Sequence, residues 1–206
     1  MNETKNHYDL LITDGNDPVL DPPELKQYMD KWDGDLFFDL LALDKNDKVL
    51  ELGCGTGRLS LRVAPKVRSF TGIDISEKTI EKAKEHLRFD NIKLLCADFL
   101  EYSFDEKFDL VFSSLTFMHI KEKLEAIAKI SSLLNPNGRV VISLDKNRET
   151  YINYGTRKLE IYPDTPNKIM ALMEKVGLTN IEKYETEFAY IVKAKKEYVI
   201  DSINRM

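Results

Sequence analysis

The amino-acid sequence predicts an α/β fold: a doubly wound, mostly parallel sheet with an antiparallel last strand and helices on both faces. Three observations predict it. Short β-branched runs alternate with segments of helical period, which is the pattern of parallel βαβ units. A glycine-rich turn directly follows the first of these runs. Two strand-like runs near the end of the chain stand too close together for a helical crossover, so we expect them to pair antiparallel.

Five apolar runs are the predicted strands of the parallel part of the sheet. They lie at residues 49–52, 70–73, 92–96, 108–114 and 139–144. Each is short, and each is bounded by turn-forming or charged residues, as expected of a strand. The five strands and their connections therefore occupy residues 48 to 145.

Helices are predicted in the connections between these strands. The segment RLSLRVAPKV after the first strand is predicted to be helical up to Pro65. Ser76 is placed to cap the helix that follows the second strand. The turn sequence Asn-Pro-Asn-Gly ends the helix that precedes the fifth strand. The residues predicted to face inward are Ile80, Ala83 and Leu87 in the first of these two helices, and Leu124, Ile127, Ile130 and Leu134 in the second.

The two flanks of this core differ in pattern. Residues 1–44 hold two predicted helices, in the stretches DPPELKQYMDKW and LFFDLLAL. Residues 146–206 begin with a tyrosine-rich segment that we expect to be irregular. A helix is predicted from Thr165 to Gly177, and the runs NIEKYETE and FAYIVKAK are the closing strands.

Composition narrows the class of protein. The chain has 206 residues, a formal net charge of −5 and 43% hydrophobic residues, as expected of one globular domain without the basic face of a duplex-binding protein. Cys54 and Cys96 are the two cysteines, and neither belongs to a Cys-x-x-Cys pair, so no disulfide framework or metal site is predicted. The polar N-terminus and the absence of a long apolar stretch predict a cytoplasmic protein with no membrane partner.

The stretch VLELGCGTGRLS, residues 49 to 60, carries the first functional signal. Gly53 and Gly55 allow a sharp turn and a close approach of the backbone to a ligand. Gly57 stands one residue too early for the dinucleotide pattern Gly-x-Gly-x-x-Gly. Glu51 precedes the turn, where a carboxylate would repel a pyrophosphate but attract an ammonium group. This stretch therefore indicates a ligand with a positively charged end.

Polar positions at the ends of the next two strands extend this interpretation. Asp74 ends the second strand, where a carboxylate can accept hydrogen bonds from both hydroxyls of a ribose. Asp98 follows the third strand and can accept from the exocyclic amine of adenine. The backbone N–H of Phe99 can donate to a ring nitrogen. Three successive strand ends thus suit an amino-acid end, a ribose and an adenine.

On these residues the sequence resembles the class I S-adenosylmethionine-dependent methyltransferases, and among them the small-molecule enzymes of the type 11/25-like group. The motifs that carry the resemblance are ELGCGTG, GIDIS, ADF, FDLVFSSLTFMHI and LLNPNGRVVIS, in that order along the chain. The resemblance implies a Rossmann-like sheet of seven strands, the last antiparallel. It also implies one methyltransferase domain over residues 1–206, with a helical lid (1–44), a cofactor-binding core (45–145), and an acceptor-side segment with closing strands (146–206).

The resemblance further implies S-adenosyl-L-methionine as cofactor and assigns residues to it. Gly53 and Gly55 would contact the methionine part, with Glu51 nearby and Cys54 as a small filler in the loop. Asp74 would hold the ribose. The remaining residues implied at the cofactor are Ile75, Asp98 and Phe99 at the adenine, Ser113 at the methionine or methyl group, and Tyr28 and Trp32 in the lid.

The sequence contains fewer features that indicate the methyl acceptor. The fourth-strand motif lacks the Pro-Pro-aromatic, Pro-Cys and metal-binding aspartate patterns of several subtypes, and the remaining class is that of small-molecule methyltransferases. His119 is the candidate catalytic base, since its ordinary pKa suits that role, or it only packs the following helix. Tyr151, Tyr154 and Tyr162 either line the acceptor pocket or cover the sheet edge. His7 and His86 are predicted to be surface residues.

Two alternatives stay open at this point. A nicotinamide-dependent oxidoreductase on a related sheet would need a different glycine spacing and no Glu51. A non-catalytic module would keep the fold and the cofactor site without transferring a methyl group. Cofactor binding and methyl transfer, measured separately, distinguish the three possibilities.

Overall fold

A computed structural model describes residues 3–155 and 157–197 of the chain. The predicted domain also includes residues 1–2, 156 and 198–206, which lie outside the described residues. The described helices are α1 (Glu3–Thr13), α2 (Pro23–Leu41), α3 (Ser60–Val63), α4 (Glu77–His86), α5 (Lys123–Leu133) and α6 (Pro166–Lys175), with 3₁₀ helices at Ala64–Lys66 and Phe117–His119. The described strands are β1 (Lys48–Leu52), β2 (Ser69–Asp74), β3 (Ile92–Cys96), β4 (Phe108–Ser113), β5 (Leu134–Asp145), β6 (Tyr151–Asn153), β7 (Lys158–Glu160), β8 (Thr179–Glu185) and β9 (Ala189–Lys195).

Seven strands form one sheet in the order β3-β2-β1-β4-β5-β9-β8. The pairs among β3, β2, β1, β4 and β5 are parallel. The last strand, β9, is antiparallel to both β5 and β8. The predicted fold class is therefore confirmed: a mostly parallel, doubly wound sheet with an antiparallel last strand.

Alternate residues of the central strands face two separate apolar layers, because successive side chains of a strand point to opposite faces. Leu50, Val111 and Ile142 belong to the layer that α5 and α6 cover. Val49, Leu110 and Val141 belong to the layer that α2 and α3 cover. The sheet is thus buried on both faces, and polar groups can meet a ligand only at its edges.

The N-terminal flank differs from the prediction. The two predicted helices are two halves of α2, which is kinked at Gly34 (φ −4°, ψ −155°). Helix α1 was not predicted, because its sequence ETKNHYDLLIT is largely polar. The prediction that His7 lies on the surface was wrong, since His7 is buried. It faces the rest of the protein from α1, a helix that the sequence pattern did not reveal.

The connections on the other side of the sheet contain three further differences. Leu124 was predicted to face inward, but it is exposed, and Lys123 lies inward in its place. The Lys123 ammonium is satisfied there by Phe117 O at 2.6 Å and Tyr162 O at 2.8 Å. Leu134 is buried as predicted but begins β5, and the Asn-Pro-Asn-Gly turn forms a bulge in that strand. The tyrosine-rich segment is not irregular, because β6 and β7 pair there as a hairpin.

Candidate active site

Four strands, β3, β2, β1 and β4, end side by side at one edge of the sheet. From β1 the chain passes through β2 and β3 on one side of β1, and then crosses to β4 on the other side of β1. The strand order therefore reverses between β1 and β4. In open α/β sheets, ligands bind in the crevice at such a reversal. The loops that follow these strands hold most of the residues predicted from the sequence.

The loop after β1 turns back at once onto β2. The N–H groups of Gly53 and Cys54 both donate to Ile73 O, at 2.8 and 3.2 Å. Gly53 has a φ of 74°, a left-handed conformation that side chains disfavour. A Cβ atom on Gly53 would lie 2.0 Å from Thr116 Oγ1 and 2.6 Å from Thr116 Cβ. Glycine is therefore required here by the backbone and also by the Thr116 side chain, which lies against it.

Cys54 lies inside this loop as the small filler that the sequence predicted. Its side chain is buried and packs toward β2, since a Cβ on Gly72 would come within 2.9 Å of Cys54 Sγ. Burial raises the pKa of the Cys54 thiol, which keeps it protonated and unreactive at neutral pH.

Asp74 connects the end of β2 to the glycine loop. Gly55 N donates to Asp74 Oδ2 and Ser76 N donates to Oδ1, both at 3.0 Å. Burial raises the pKa of this carboxyl group, and the two backbone donors oppose the shift. Each carboxylate oxygen has a second lone pair, so Asp74 retains the capacity to accept from a pair of hydroxyl groups.

Glu51 lies beneath the glycine loop and is buried. Its Oε2 accepts a hydrogen bond from Ser60 Oγ on α3, at 2.6 Å. Burial raises the pKa of the Glu51 carboxyl to about 8, against the opposing effect of the Ser60 hydrogen bond. Glu51 is therefore largely protonated at neutral pH even with Arg58 nearby, and a further positive charge brought close to it would favour release of that proton.

The three residues predicted at an adenine lie next to Asp74. Ala97 N donates to Asp74 O at 3.0 Å, which places the end of β3 against the end of β2. Asp98 Oδ1 accepts from Leu100 N at 2.8 Å and closes a tight turn. The ring of Phe99 is buried in the apolar layer on the α5 side. Ile75, between β2 and α4, is half-buried beside this turn.

The segment after β4 lies across the glycine loop. Ser113 is buried, and its hydroxyl donates to Leu52 O in β1 at 3.1 Å. Leu115 has a φ of 55°, which is uncommon and strained for a leucine. Thr116 Oγ1 donates to Ser114 O at 3.1 Å and lies 3.4 Å from Gly53 O. A strained backbone thus holds Thr116 over the loop that the sequence assigns to the ligand.

A buried ionic cluster that was not predicted joins α2 to this region. The Asp33 carboxylate is fully buried, and it accepts hydrogen bonds from both terminal nitrogens of Arg58. Ser114 Oγ donates to Asp33 Oδ2 at 2.7 Å. The sequence does contain a pattern that indicates the kink beside Asp33, because an Asp-Gly pair such as Asp33-Gly34 is typical of a turn and interrupts a helical pattern. Arg58, directly after the glycine loop, and Ser114, directly after β4, therefore bind the same carboxylate.

His119, the candidate catalytic residue, ends the 3₁₀ helix Phe117–His119. Its Nε2 lies 2.8 Å from the hydroxyl of Tyr8 on α1, and the two rings are edge to face. Burial, together with His7 and Lys123, lowers the pKa of His119 to about 4. His119 is therefore neutral at neutral pH, and it is a weaker base than an exposed histidine.

Tyr28 and Trp32 lie on α2 and contact Phe188, in the turn between β8 and β9. The ring centroids of Trp32 and Phe188 are 4.7 Å apart, and those of Tyr28 and Phe188 are 5.7 Å apart. Lys31 Nζ lies 5.0 Å from the Phe188 ring and 3.0 Å from Glu187 Oε1. Tyr28 and Trp32 also contact each other, with ring centroids 5.4 Å apart, so α2 packs against the closing hairpin through these two rings.

The hairpin β6–β7 brings its tyrosines toward His119 and α1. Tyr162 N donates to Met118 O in the 3₁₀ helix at 2.7 Å. The rings of Tyr154 and His7 lie 4.2 Å apart. His86, which was predicted to be a surface residue, lies 2.7 Å from Asp17 Oδ2. Of the three tyrosines considered for the acceptor pocket, two therefore contact the elements that hold His119.

Comparison with known proteins identifies the family of this chain. A model of the family described as a methyltransferase domain matches residues 43–198, so the chain belongs to that family, and its recognition as a class I S-adenosylmethionine-dependent methyltransferase is confirmed. An uncharacterized methyltransferase of Schizosaccharomyces pombe is 31% identical over 65% of this chain and 54% of its own. A malonyl-[acyl-carrier protein] O-methyltransferase of Anoxybacillus flavithermus is 38% identical over 46% of this chain and 38% of its own.

Solved structures show the same fold. The N-methyltransferase NodS from Bradyrhizobium japonicum, in complex with S-adenosyl-L-homocysteine, has a TM-score of 0.69 and 18% identity, covering 95% of this chain and 99% of its own. At that identity the likeness concerns the fold alone. The matched part of this chain spans 54% and 38% of the length of the two relatives named above.

Three further observations concern membrane-spanning helices, metal-binding groups and thiols in the described residues. No helix in the described residues has both the length and the apolar character needed to cross a membrane. Within residues 3–155 and 157–197, no group of three or more histidine, cysteine, aspartate and glutamate side chains is arranged to hold a metal ion. Both cysteines are free thiols, Cys54 buried and Cys96 exposed.

Proposed function

We propose that this protein is an S-adenosylmethionine-dependent methyltransferase that moves a methyl group in line to a small-molecule acceptor in the cytoplasm. The observation that carries the proposal is the position of Asp74. Its carboxylate stands at the end of β2 and is hydrogen-bonded to Gly55 of the glycine loop, beside the reversal of strand order. Membership of the methyltransferase domain family supports it.

The residues at this edge fit the proposed cofactor, S-adenosyl-L-methionine. Asp74 would accept from the ribose hydroxyls, and Ile75, Asp98 and Phe99 would border the adenine. Gly53, Cys54 and Gly55 would border the methionine part, with Ser113 beyond it. The buried carboxyl group of Glu51 suits a ligand whose amino-acid end is positively charged. Tyr28 and Trp32 are proposed to complete the cover from α2.

The cofactor would supply a methyl group that is already strongly electrophilic, because it is bonded to a positively charged sulfur. The protein then has to align the acceptor and exclude water, and a strong base is not required. A His119 with a pKa of about 4 agrees with this requirement, since it is neutral at neutral pH and is not a strong base. The acceptor would lie between the segment after β4, α1 and the β6–β7 hairpin.

Calorimetric titration with S-adenosyl-L-homocysteine tests the proposal. Wild-type protein should bind it with a micromolar dissociation constant. Asp74→Ala should weaken binding roughly 10- to 100-fold, because the two ribose hydroxyls would lose their carboxylate acceptor. Asp90→Ala, at an exposed turn, is the matched control and should bind like wild type. Wild-type protein that shows no binding at millimolar ligand contradicts the proposal.

Two further outcomes separate this function from its alternatives. Enhanced NADH fluorescence on mixing, without binding of S-adenosyl-L-homocysteine, would favour a nicotinamide-dependent oxidoreductase. Tight binding of S-adenosyl-L-homocysteine, with no methyl transfer to a broad set of amines, phenols, thiols and carboxylic acids, would favour a non-catalytic module.

A further inference from the structure

Helix α1 lies over the carboxyl edge of the sheet and is held there by polar contacts at its middle and just past its C-terminal end. Asp9 Oδ1 accepts from Ser76 Oγ at 2.8 Å and from Lys78 N at 3.2 Å, at the start of α4. Asp14, just after α1, pairs with Arg157 of the β6–β7 hairpin at 3.1 Å. The helix therefore spans the distance from the loop after β2 to the acceptor side.

Tyr8 is the residue of α1 that reaches into this edge. Its hydroxyl lies 2.8 Å from His119 Nε2, and the ring centroids are 5.4 Å apart at 87°. Burial raises the pKa of Tyr8, and Tyr154 and then the Asp74 carboxylate contribute to the same shift, so Tyr8 lies within electrostatic range of Asp74. Tyr8 thus contacts the candidate catalytic histidine and lies in the electrostatic environment of the proposed ribose-binding carboxylate.

The direction of this hydrogen bond follows from counting unpaired groups. If Tyr8 O–H donates to Nε2, the ring proton of His119 resides on Nδ1, which is buried and has no hydrogen-bond partner among the described residues. If Nε2–H donates to Tyr8 instead, both the Tyr8 proton and the Nδ1 lone pair lack partners there. The first arrangement leaves one unpaired group rather than two, and buried unpaired groups are costly.

The charges around His119 keep its ring neutral. His7 and Tyr8 face it from α1, and Lys123 faces it from α5, where its ammonium pairs with Asp164 Oδ2 at 2.5 Å. The ring lies among these groups and under α1, so protonation would bury a further positive charge near Lys123. His119 therefore remains neutral, and Tyr8, whose pKa is raised by burial, retains its proton to donate.

We propose that Tyr8 is a positioning residue of the methyl-transfer site: its hydrogen bond to His119 Nε2 fixes the ring with the proton on Nδ1 and holds α1 closed over the cofactor-binding edge. This role rests on the proposed methyltransferase function. The proposal gives helix α1, which was not predicted, a function in the site. The hydrogen bond of Tyr8 links this helix to the candidate catalytic residue.

Nitrogen-15 spectroscopy of the imidazole rings tests the hydrogen bond directly. The chain has three histidines, so the signals can be assigned by substituting each in turn. Wild-type His119 should show the tautomer with the proton on Nδ1 and a hydrogen-bonded Nε2. Tyr8→Phe, which keeps the ring contact and removes the hydroxyl, should shift the ring toward the Nε2–H tautomer that unconstrained histidines prefer. An Nε2–H tautomer in wild type that Tyr8→Phe leaves unchanged would overturn the proposal.

Ligand dissociation tests the closure of α1. Tyr8→Phe should raise the dissociation rate of S-adenosyl-L-homocysteine roughly 3- to 10-fold, the effect of one hydrogen bond. His119→Asn should raise it similarly, and the double variant should show no further increase, because both substitutions remove the same bond. Tyr102→Phe, which removes a tyrosine hydroxyl from the Phe104 side of the core, should leave the rate unchanged. Additive effects of the two single substitutions would contradict the proposal.

Failure of the proposed function and failure of this inference are distinguishable. Wild-type protein that does not bind S-adenosyl-L-homocysteine would overturn the function and, with it, the role assigned to Tyr8, even if the nitrogen spectra show the hydrogen bond. Wild-type protein that binds the ligand, with a Tyr8→Phe variant of equal dissociation rate and equal His119 spectrum, would overturn only the role of Tyr8. Hydrogen exchange over residues 3–13 of α1 provides the folding control.

Discussion

Arg58, the residue directly after the glycine loop, directs both of its terminal nitrogens to the Asp33 carboxylate, which is fully buried in α2. The same carboxylate accepts from Ser114 at the end of β4. One buried charge thus connects three elements whose relative positions define the proposed site. Because a buried carboxylate requires a compensating partner, the pair is sensitive to loss of either member.

Arg58→Met should lower the free energy of unfolding by about 3 kcal/mol, because it leaves the Asp33 carboxylate buried without its cation. Urea denaturation measures this. The matched control is Arg62→Met, whose guanidinium is exposed and pairs with Asp30 and Asp35 at 3.9 and 3.4 Å. That loss should stay below about 1 kcal/mol. Equal losses in the free energy of unfolding for the two variants would show that the buried Asp33–Arg58 pair stabilises the protein no more than an exposed ion pair does.

Lys123→Met should destabilise the protein by about 3–5 kcal/mol, since it removes the buried cation of Asp164 and the donor to Phe117 O and Tyr162 O. Lys168 pairs with the same aspartate at 3.3 Å but is largely exposed. Lys168→Met should therefore cost less than about 1 kcal/mol. Thermal unfolding of the two variants side by side gives the comparison, and similar midpoints would contradict the prediction.

Gly53→Ala should destabilise the protein strongly, because its Cβ would overlap Thr116 and its φ of 74° suits glycine. Thr116→Gly removes the overlapping side chain and leaves the backbone strain. The double variant should therefore be more stable than the sum of the single effects predicts, by about 1 kcal/mol or more. A double-mutant cycle in urea measures this coupling. Strict additivity would mean that Thr116 does not lie against Gly53 in solution.

Glu51 should make the stability depend on pH. Its pKa is about 8 in the folded protein and near the ordinary value of 4.5 when unfolded, so between these values the folded state binds more protons. The free energy of unfolding therefore falls as pH rises through this window, by at most about 1.4 kcal/mol per pH unit.

Glu51→Gln should remove this contribution, whereas substitution of the exposed Glu101 by Gln should retain it. Denaturant unfolding at several pH values between about 5 and 8 measures the slope. A wild-type slope equal to that of Glu51→Gln would show that Glu51 is ionised in the fold. The same carboxyl group should release a proton when S-adenosyl-L-homocysteine binds near neutral pH, which calorimetry in two buffers detects.

The sheet and the order of its motifs were predictable because their signals are local. Buried parallel strands leave short apolar runs, and the turn after β1 requires glycine at Gly53, so both are visible in the sequence. Asp74 was found for the same reason, since it ends an apolar run. The confirmed α/β fold rests on these local patterns.

The parts that the sequence did not reveal depend on contacts between distant residues. Helix α1 is polar, and it is placed by Asp9 at α4 and by Tyr8 at His119, which are far apart along the chain. The strands of the β6–β7 hairpin have three residues each, too few for a readable alternation. Lys123 took an inward position predicted for Leu124 because oxygen atoms from other elements surround its ammonium group.

The cysteine distribution has a practical consequence. The chain contains two cysteines; Cys54 is enclosed by the protein, whereas Cys96 is accessible, with its sulfur 3.9 Å from Ile75 O. A thiol-reactive fluorophore would therefore attach at a single position of the unaltered protein, beside the loop proposed to border the adenine. The natural sequence provides its own labelling site, and arrival of a ligand should be visible as a change in dye emission without any engineered residue.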